Sequence, residues 1–187
     1  MSFSLLSELH DMRISKPVWK REALEFQRLM LENPWLENLD VELEHIDNED
    51  GENILVHVKH PEFMDLTFNV AEGFLIVTPE NSERYGDTGE EAYKRAMPIL
   101  IGMKAGFDLK EKVDDFTIQV SDGLITNTCI LTFEVTSHGD RRQDVRLRWN
   151  VAEQGFEPDD PDNLPSGHGM MFKTIKEVED YLRTYER

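Results

Sequence analysis

Three histidines beside two neighbouring apolar segments are the first side chains in this sequence that suit metal chemistry. His45, His57 and His60 lie in or next to segments that alternate apolar and polar residues, and Asp47 is close to them in sequence. A zinc site needs several such ligands to converge tetrahedrally. His57 and His60 are three positions apart, so a straight strand directs them to opposite faces. The spacing favours ordinary surface histidines, and we expect no metal site.

The acidic segment from Asp47 to Gly51 has the composition of a calcium-binding loop but not its spacing. If Gly51 took the sixth position of such a loop, the first ligand would be Ile46, which has no side-chain oxygen. Asp50-Gly51 is instead typical of a tight turn between two strands. We therefore predict a polar hairpin turn here.

Nucleophilic catalysis has two weak candidates. Cys129 with His138 would form a thiol and base pair, but Cys129 adjoins Ile130 in an apolar, strand-like segment, which predicts a small buried side chain. Ser166 and His168 lie two residues apart in a glycine-rich segment and do not have the arrangement of a catalytic dyad. The sequence contains neither a G-x-S-x-G motif nor a phosphate-binding glycine loop. We predict no catalytic residues and no cofactor.

The net charge of the chain indicates which classes of partner it can bind. The 187 residues include 38 Asp and Glu against 20 Lys and Arg, a formal net charge of −18. Such a field repels nucleic acids and anionic membranes and attracts basic proteins. A narrower hypothesis is that the charge imitates that of a nucleic acid, in which case binding weakens steeply with salt. The alternative is that acidity only keeps the protein dissolved.

The charge is unevenly distributed along the chain. Eight acidic residues and no Lys or Arg occur from Glu37 to Glu52, and five acidic residues without a base occur from Glu153 to Asp162. Between them lies an arginine strip, which consists of Arg141, Arg142, Arg146 and Arg148. The strip either pairs with acidic strands of the same chain or forms a mixed-charge surface for a partner. The candidate binding residues are Glu42, Glu44, Asp47, Glu49, Asp50, Arg146, Arg148, Glu157, Asp159, Asp160 and Asp162.

The elements that position these residues begin with a helix near Ser15. Ser15 suits the capping position, and Pro17 suits the first turn. Spacings of four, three and four residues place one set of apolar side chains on a single helical face: Trp19, Ala23, Phe26 and Met30. Asn33 precedes Pro34, and a residue before proline disfavours helix, so the helix should end there.

Strand-like segments follow in two groups. The first group covers residues 39–45, 54–59, 65–70 and 74–77, and the second covers 116–120, 128–135 and 144–151. In residues 39–45 acidic and apolar residues alternate, which gives the predicted strand one acidic face. Asp122-Gly123 predicts a turn in the second group, and residues 157–169 a long loop after it.

Two further helices are predicted from capping-box spacing. Thr88 and Glu91 open the middle helix, which Pro98 should kink or divide and Gly106 should end. The last helix begins at a second capping box, Thr174 with Glu177, and its apolar face is Ile175, Val178, Leu182 and Tyr185.

An internal repeat relates the two strand groups. Residues 68–72 (FNVAE) match 149–153 (WNVAE) at an offset of 81 residues. One extra residue, Gln154, shifts the offset, after which Gly73-Phe74 meets Gly155-Phe156 and Pro79 meets Pro161. The ordered series predicts a duplication. Separate use of the same turn and cap residues is the alternative.

We therefore predict an α+β fold with two diverged repeats of a helix plus a three- or four-stranded antiparallel sheet, sharing a central helix, with a C-terminal helix. The expected domains are an N-terminal arm over 1–14, a first repeat over 15–103 and a second over 88–187, which share helix 88–103 in one compact globular unit. The layout resembles that of small acidic secretion chaperones, which also place groups of strands between helices.

The predicted function is that of a non-catalytic binding protein with a basic or mixed-charge protein partner. Inhibitor, immunity protein, phage anti-defence protein and chaperone are the roles that suit it. The alternatives are an enzyme with a site in a cleft between the two repeats, or an assembly protein that pairs sheet edges between copies as a homo-oligomer. One cysteine, a non-cationic N-terminal sequence and no long apolar run predict a cytoplasmic protein. The net negative charge predicts that it binds neither a membrane nor a nucleic acid directly.

Overall fold

A computed structural model describes residues 16–48, 51–77, 82–111, 113, 115–122, 127–137, 141–159 and 170–185. The described residues form three α-helices and nine strands in two antiparallel sheets, which confirms the predicted α+β class. Internal contacts divide them into two compact units. The first consists of the residues up to 32 with Asn38–Tyr93, and the second of Asn33–Glu37 with the residues from Lys94 onward.

The first unit packs helix α1 (Lys16–Glu32) against a five-stranded sheet. The strands, in their spatial order, are β1 (Asp40–Asn48), β2 (Gly51–His60), β3 (Met64–Asn69), β4 (Leu75–Val77) and β5 (Ser82–Arg84). The predicted helical face is confirmed, since Ala23, Phe26 and Met30 are buried and Trp19 is half-buried. The helix ends at Glu32, next to the predicted stop at Asn33.

Phenylalanines from separate elements form the core of the first unit. The ring of Phe26 on α1 lies 5.0 Å from that of Phe68 and 5.1 Å from that of Phe74, between centroids. Tyr85 adds an edge contact to Phe68 at 5.4 Å. Gly73 has a φ of +77°, in the left-handed region that glycine adopts readily, and it turns the chain between β3 and β4.

Strand β5 is absent from the sequence prediction, which ended the first strand group at residue 77. Its three residues, Ser82, Glu83 and Arg84, are all exposed and show no apolar alternation. Pairing with β4, in which Ile76 stands opposite Glu83, defines the strand. Period-two analysis depends on a buried face, so it does not detect a short polar strand at a sheet edge.

Helix α2 (Gly89–Leu109) corrects the predicted end of the middle helix and decides one of the two effects predicted for Pro98. Gly106 does not end it, because the helix continues to Leu109, which is buried together with Ala105 one turn earlier. Pro98 lies inside the helix and does not divide it. The Thr88 hydroxyl accepts a hydrogen bond from Glu91 N at 3.2 Å, as in a capping box, whereas the Glu91 carboxylate accepts from Asp87 N. None of the helices in the described ranges is long and apolar enough to cross a membrane.

The second unit contains a four-stranded sheet with consecutive strands adjacent. The strands are β6 (Asp115–Asp122), β7 (Asn127–Ser137), β8 (Arg141–Asn150) and β9 (Gly155–Pro158). Trp149 on β8 packs edge-on against Trp35, which lies in a short 3₁₀ helix (Pro34–Leu36), and against Phe156 on β9, with centroid distances of 5.4 and 5.0 Å. Strand β9 was not predicted, since it lies between the predicted strand over 144–151 and the predicted loop over 157–169 and overlaps the start of that loop.

The last helix, α3 (Ile175–Leu182), has the predicted capping box in full. The Thr174 hydroxyl accepts from Glu177 N, and the Glu177 carboxylate accepts from Thr174 N. Val178 and Leu182 of the predicted face are buried, and Tyr181 joins them against Phe172. The spacing of residues in the sequence was sufficient to predict this capping box, because its two partners lie within one helical turn of each other.

The segments matched as a repeat occupy related but not identical positions. Phe68 and Trp149 are both buried near the end of a strand, and Phe74 and Phe156 are both buried after it. The strand register after the matched asparagines differs by two residues between the two segments. Asn69 stands opposite Leu75, while Asn150 stands opposite Gly155, the sequence match of Gly73.

Gly89 supplies a test of the packing around the start of α2. A Cβ atom on this residue would lie 2.2 Å from Glu22 O and 2.8 Å from Phe26 N, both backbone atoms of α1. In an unhindered helix Gly→Ala stabilises by about 0.5–1 kcal/mol. Here we expect Gly89→Ala to lower the free energy of unfolding by about 1–3 kcal/mol, because backbone must move. Urea unfolding followed by circular dichroism measures the change, and a stabilised variant would contradict the close packing.

Candidate functional site

The candidate site is the acidic hairpin, which is the pair of strands β1 and β2. Its register places Val41 opposite Val58 and Leu43 opposite Val56, and both valines of β2 are fully buried. Side chains alternate along a strand, so the residues between them point to the opposite face of the sheet. That outer face carries four exposed carboxylates: Asp40, Glu42, Glu44 and, from β3, Asp65.

The acidic hairpin and its surroundings hold half of the protein's net charge. From Glu37 to Asp65 the sequence contains ten acidic residues and one basic residue, Lys59, a formal charge of −9 out of −18. Lys59 stands between Asp40 and Asp65 in the strand register, and its Nζ atom lies 3.9 Å from the Glu42 carboxylate. One ammonium group therefore faces several carboxylates, and the outer face stays strongly negative.

A polar row crosses the outer face over three strands. His57 Nε2 lies 2.8 Å from the Glu44 carboxylate, and His57 Nδ1 lies 3.0 Å from the Thr67 hydroxyl. Carboxylate, imidazole and hydroxyl are the groups of a hydrolytic triad. Here Glu44 is more than half exposed and the row lies across a sheet surface, where its hydrogen bonds connect neighbouring strands. When His57 is protonated, its contact with Glu44 becomes a salt bridge.

The opposite face of the hairpin borders a groove beside α1, which we call the Trp19 groove. It has a volume of about 410 Å³, within the range of about 300–1,000 Å³ typical of small-ligand sites. Trp19, Ile46 and Ile54 supply its apolar surface. Its polar and charged surface comes mainly from Lys20, His45, Asp47 and Glu52. Asp47 stands directly opposite Glu52 in the strand register.

The arginine strip pairs within the chain where the structure describes it. Arg146 Nη2 lies 2.9 Å from the Asp159 carboxylate, and Arg148 Nη2 lies 2.8 Å from that of Glu157. Asp159 N also donates to Arg146 O, so side chains and backbone join β8 to the end of β9. Of the two alternatives for the strip, Arg146 and Arg148 therefore follow the first, which is pairing within the chain.

Several residues singled out from the sequence lie outside the described part of the chain. They are Glu49, Asp50, Asp160 and Asp162 of the binding set, with His138, Ser166 and His168; the side chains of Arg141 and Arg142 are likewise not described. Within the described residues, no group of three or more His, Cys, Asp or Glu side chains is arranged to hold a metal ion. His45 lines the Trp19 groove, His57 pairs with Glu44, and His60 stacks on Phe63 at 4.4 Å.

Comparison with models of known protein families, with curated proteins and with solved structures finds no match to this chain. The geometry and charge of its own residues therefore carry the functional argument. Two residues of the site were missed from the sequence. Asp65 joins the outer face through its pairing with Lys59. Trp19, which was placed on the core face of α1, is half-buried and lines a groove. The sequence signal that could have identified Trp19 was its position as an aromatic residue at the end of the apolar face of a helix.

Cys129 is confirmed as a buried apolar side chain. It is fully buried in β7, and burial raises the pKa of its thiol to about 12. At that pKa, roughly one thiol in ten thousand is a thiolate at pH 8. The thiolate is the reactive form, so the native side chain is both shielded and weakly nucleophilic.

This burial predicts slow thiol chemistry. We expect Ellman's reagent at pH 8 to leave Cys129 unmodified in the native protein and to modify one thiol per chain after unfolding in guanidinium chloride. The unfolded sample controls for reagent activity and for prior oxidation. Rapid stoichiometric reaction of the native protein would contradict the placement of this side chain.

Proposed function

We propose that this protein is a non-catalytic binding protein, which engages a basic protein partner through the outer face of the acidic hairpin. The observation that carries the proposal is the concentration of half the net charge around one hairpin, with Asp40, Glu42, Glu44 and Asp65 exposed together on one face of the sheet. Complementary charge speeds encounter and selects against acidic partners. Inhibitors, immunity or anti-defence proteins and chaperones are the roles that such a surface suits.

Charge pairing favours the hairpin over the other predicted binding residues. Arg146, Arg148, Glu157 and Asp159 neutralise one another on β8 and β9. A partner would have to break these pairs before it could use those charges, and it would regain little from exposed ion pairs. The outer face of the hairpin has four exposed carboxylates against one ammonium group, that of Lys59, so a basic partner meets an excess of negative charge there.

The edge position of β1 favours recognition through side chains. β1 is the outermost strand of its sheet, and the Gln27 side chain donates to Val41 O at 2.7 Å. The outer-face carboxylates of β1 also discourage pairing with an identical acidic strand, which is a common protection of sheet edges. These features support a binding surface over an assembly formed by joining sheet edges.

We also propose that the two strand groups descend from one duplicated unit whose copies diverged in charge. The support is the run of sequence matches with the shared burial of Phe68 and Trp149 and of Phe74 and Phe156. The exposed Asp65 of one segment corresponds to the exposed Arg146 of the other. Sequences of related chains test this: the two segments should share more residues with each other in some relatives than here. Relatives in which the matches disappear would contradict a duplication.

Neutralising the outer face provides the test of function. The variant Asp40→Asn, Glu42→Gln, Glu44→Gln and Asp65→Asn removes four exposed charges and keeps the side-chain shapes. Wild-type protein used as bait in extract of the native host should retain a basic protein at low salt. We expect the neutralised variant to bind it about tenfold or more weakly, since each exposed ion pair contributes roughly 0.2–1 kcal/mol.

The matched control removes the same charge from the second unit. Glu111→Gln, Asp144→Asn, Glu153→Gln and Asp180→Asn also change four exposed residues. This variant should bind the captured protein within about twofold of wild type, and binding of wild type should weaken as salt rises. Equal losses in both variants, or affinity that does not depend on salt, would contradict a specific acidic surface.

A further inference from the structure

His57 lies on the outer face of the acidic hairpin, between β1 and β3. In the strand register it stands opposite Glu42 on one side and Thr67 on the other. Its Nε2 atom lies 2.8 Å from the Glu44 carboxylate, and its Nδ1 atom lies 3.0 Å from the Thr67 hydroxyl. The side chain is 16% exposed, so the imidazole is held between these two partners on the acidic surface.

Both protonation states of His57 satisfy these two contacts. When the ring is neutral, Nε2–H donates to the Glu44 carboxylate, and Nδ1 accepts a hydrogen bond from the Thr67 hydroxyl. When the ring is protonated, both nitrogens donate and the hydroxyl accepts instead. The ring can therefore gain a proton without leaving its place, so its charge changes while the geometry of the polar row is kept.

A proton on His57 changes the net charge of the outer face. The charged groups around it are the carboxylates of Asp40, Glu42, Glu44 and Asp65 and the ammonium group of Lys59. These groups give a formal charge of −3 while His57 is neutral, and its protonation reduces that charge to −2. The same proton turns the contact with Glu44 into a salt bridge. A basic partner then meets less negative charge and one carboxylate that is already paired.

Helix α1 and a short 3₁₀ helix (Val70–Glu72) also pack against β2. α1 lies on the opposite face, where Val56 is buried, so the sheet separates its charges from His57. The 3₁₀ helix meets β2 at Asn53, four residues before His57, through the backbone of its second residue. Its charged residue, Glu72, is a further carboxylate at that end of the strand. Neither element therefore supplies a cation that would replace a proton on the ring.

We propose that His57 makes binding of a basic partner to the outer face depend on pH, with protonation of the imidazole weakening the complex. This inference rests on the proposed function and names the regulation of the same surface. Imidazole is the side chain that ordinarily changes charge between pH 5 and 8. The protonated ring of His57 both pairs with Glu44 and repels cations, so binding weakens as pH falls through this range.

The experiment measures binding of the full-length protein to a fluorescent octa-arginine peptide with acetylated and amidated ends. Arginine keeps its charge from pH 6 to pH 8, and ordinary carboxylic acids stay ionised in this range. Salt at about 0.1 M limits the contribution of charges more than about 10 Å away. We expect wild type to bind the peptide at least about threefold more weakly at pH 6 than at pH 8.

Matched histidine variants locate the source of this dependence. His57→Gln keeps a side-chain N–H that can donate to Glu44 but cannot be protonated, so its affinities at pH 6 and pH 8 should agree within about 1.5-fold. His45→Gln removes a histidine of the same hairpin that lines the Trp19 groove on the opposite face, and it should keep the wild-type ratio. Equal ratios in the two variants would overturn the inference.

NMR of the ¹³C-labelled protein tests the same coupling from the side of the proton. Because coupling between two ligands is reciprocal, a peptide that prefers the neutral ring must favour loss of its proton. The imidazole signal of His57 is assigned with His57→Gln. At pH 6.5 we expect added octa-arginine to move this signal toward its position at high pH, and a neutral octa-citrulline peptide to leave it in place. A His57 signal that does not respond to bound octa-arginine would contradict the inference.

The neutralised variant of the outer face separates failure of this inference from failure of the proposed function. If that variant loses the peptide at pH 8 while His57→Gln keeps the wild-type dependence on pH, the inference about His57 fails and the proposed function stands. If the neutralised variant binds the peptide as strongly as wild type, the outer face is not the binding surface. The proposed function then fails together with the inference.

Discussion

Val41 stands opposite Val58 and Leu43 opposite Val56, and this register decides which face of the acidic hairpin meets solvent. The two valines of β2 are buried in the core of the first unit, which stabilises this alignment of β1 with β2. A shift by one residue would bring the carboxylates of Glu42 and Glu44 into the apolar interior. The position of Glu42 and Glu44 on the outer face is therefore a consequence of core packing.

The two sheets differ in how far their charged side chains form ion pairs. In the second sheet Arg146 and Arg148 meet Asp159 and Glu157 at ion-pair distance, so the acidic residues that follow β8 contribute to cohesion between strands. In the first sheet Lys59 is the one basic residue from Glu37 to Asp65, and His57 supplies a polar contact to Glu44. Unbalanced charge costs stability through repulsion, and natural proteins tolerate such a cost where a partner supplies the missing countercharge.

Parts of the fold that depend on neighbouring residues were predictable. The face of α1 and the capping box of α3 follow from spacings of three and four residues, which are set by helix geometry. The end predicted for α2 at Gly106 was wrong, because burial of Leu109 one turn later outweighs the weak helix preference of one glycine. Strand β5 escaped prediction for a similar reason: pairing with β4 defines it and its own residues do not.

The sequence by itself determined the α+β class, most helix boundaries, the acidic face of the first strand and the burial of Cys129, since each depends on local periodicity or composition. Only the tertiary structure decided which charged side chains form ion pairs within the chain and which remain available to other molecules. Arg146 and Asp159 are far enough apart in sequence that only the pairing of β8 and β9 brings them together, and Asp47 meets Glu52 beside Trp19 only through the hairpin register and the packing of α1. Charge neutralisation and groove formation depend on distances in space, which spacing along the chain does not specify.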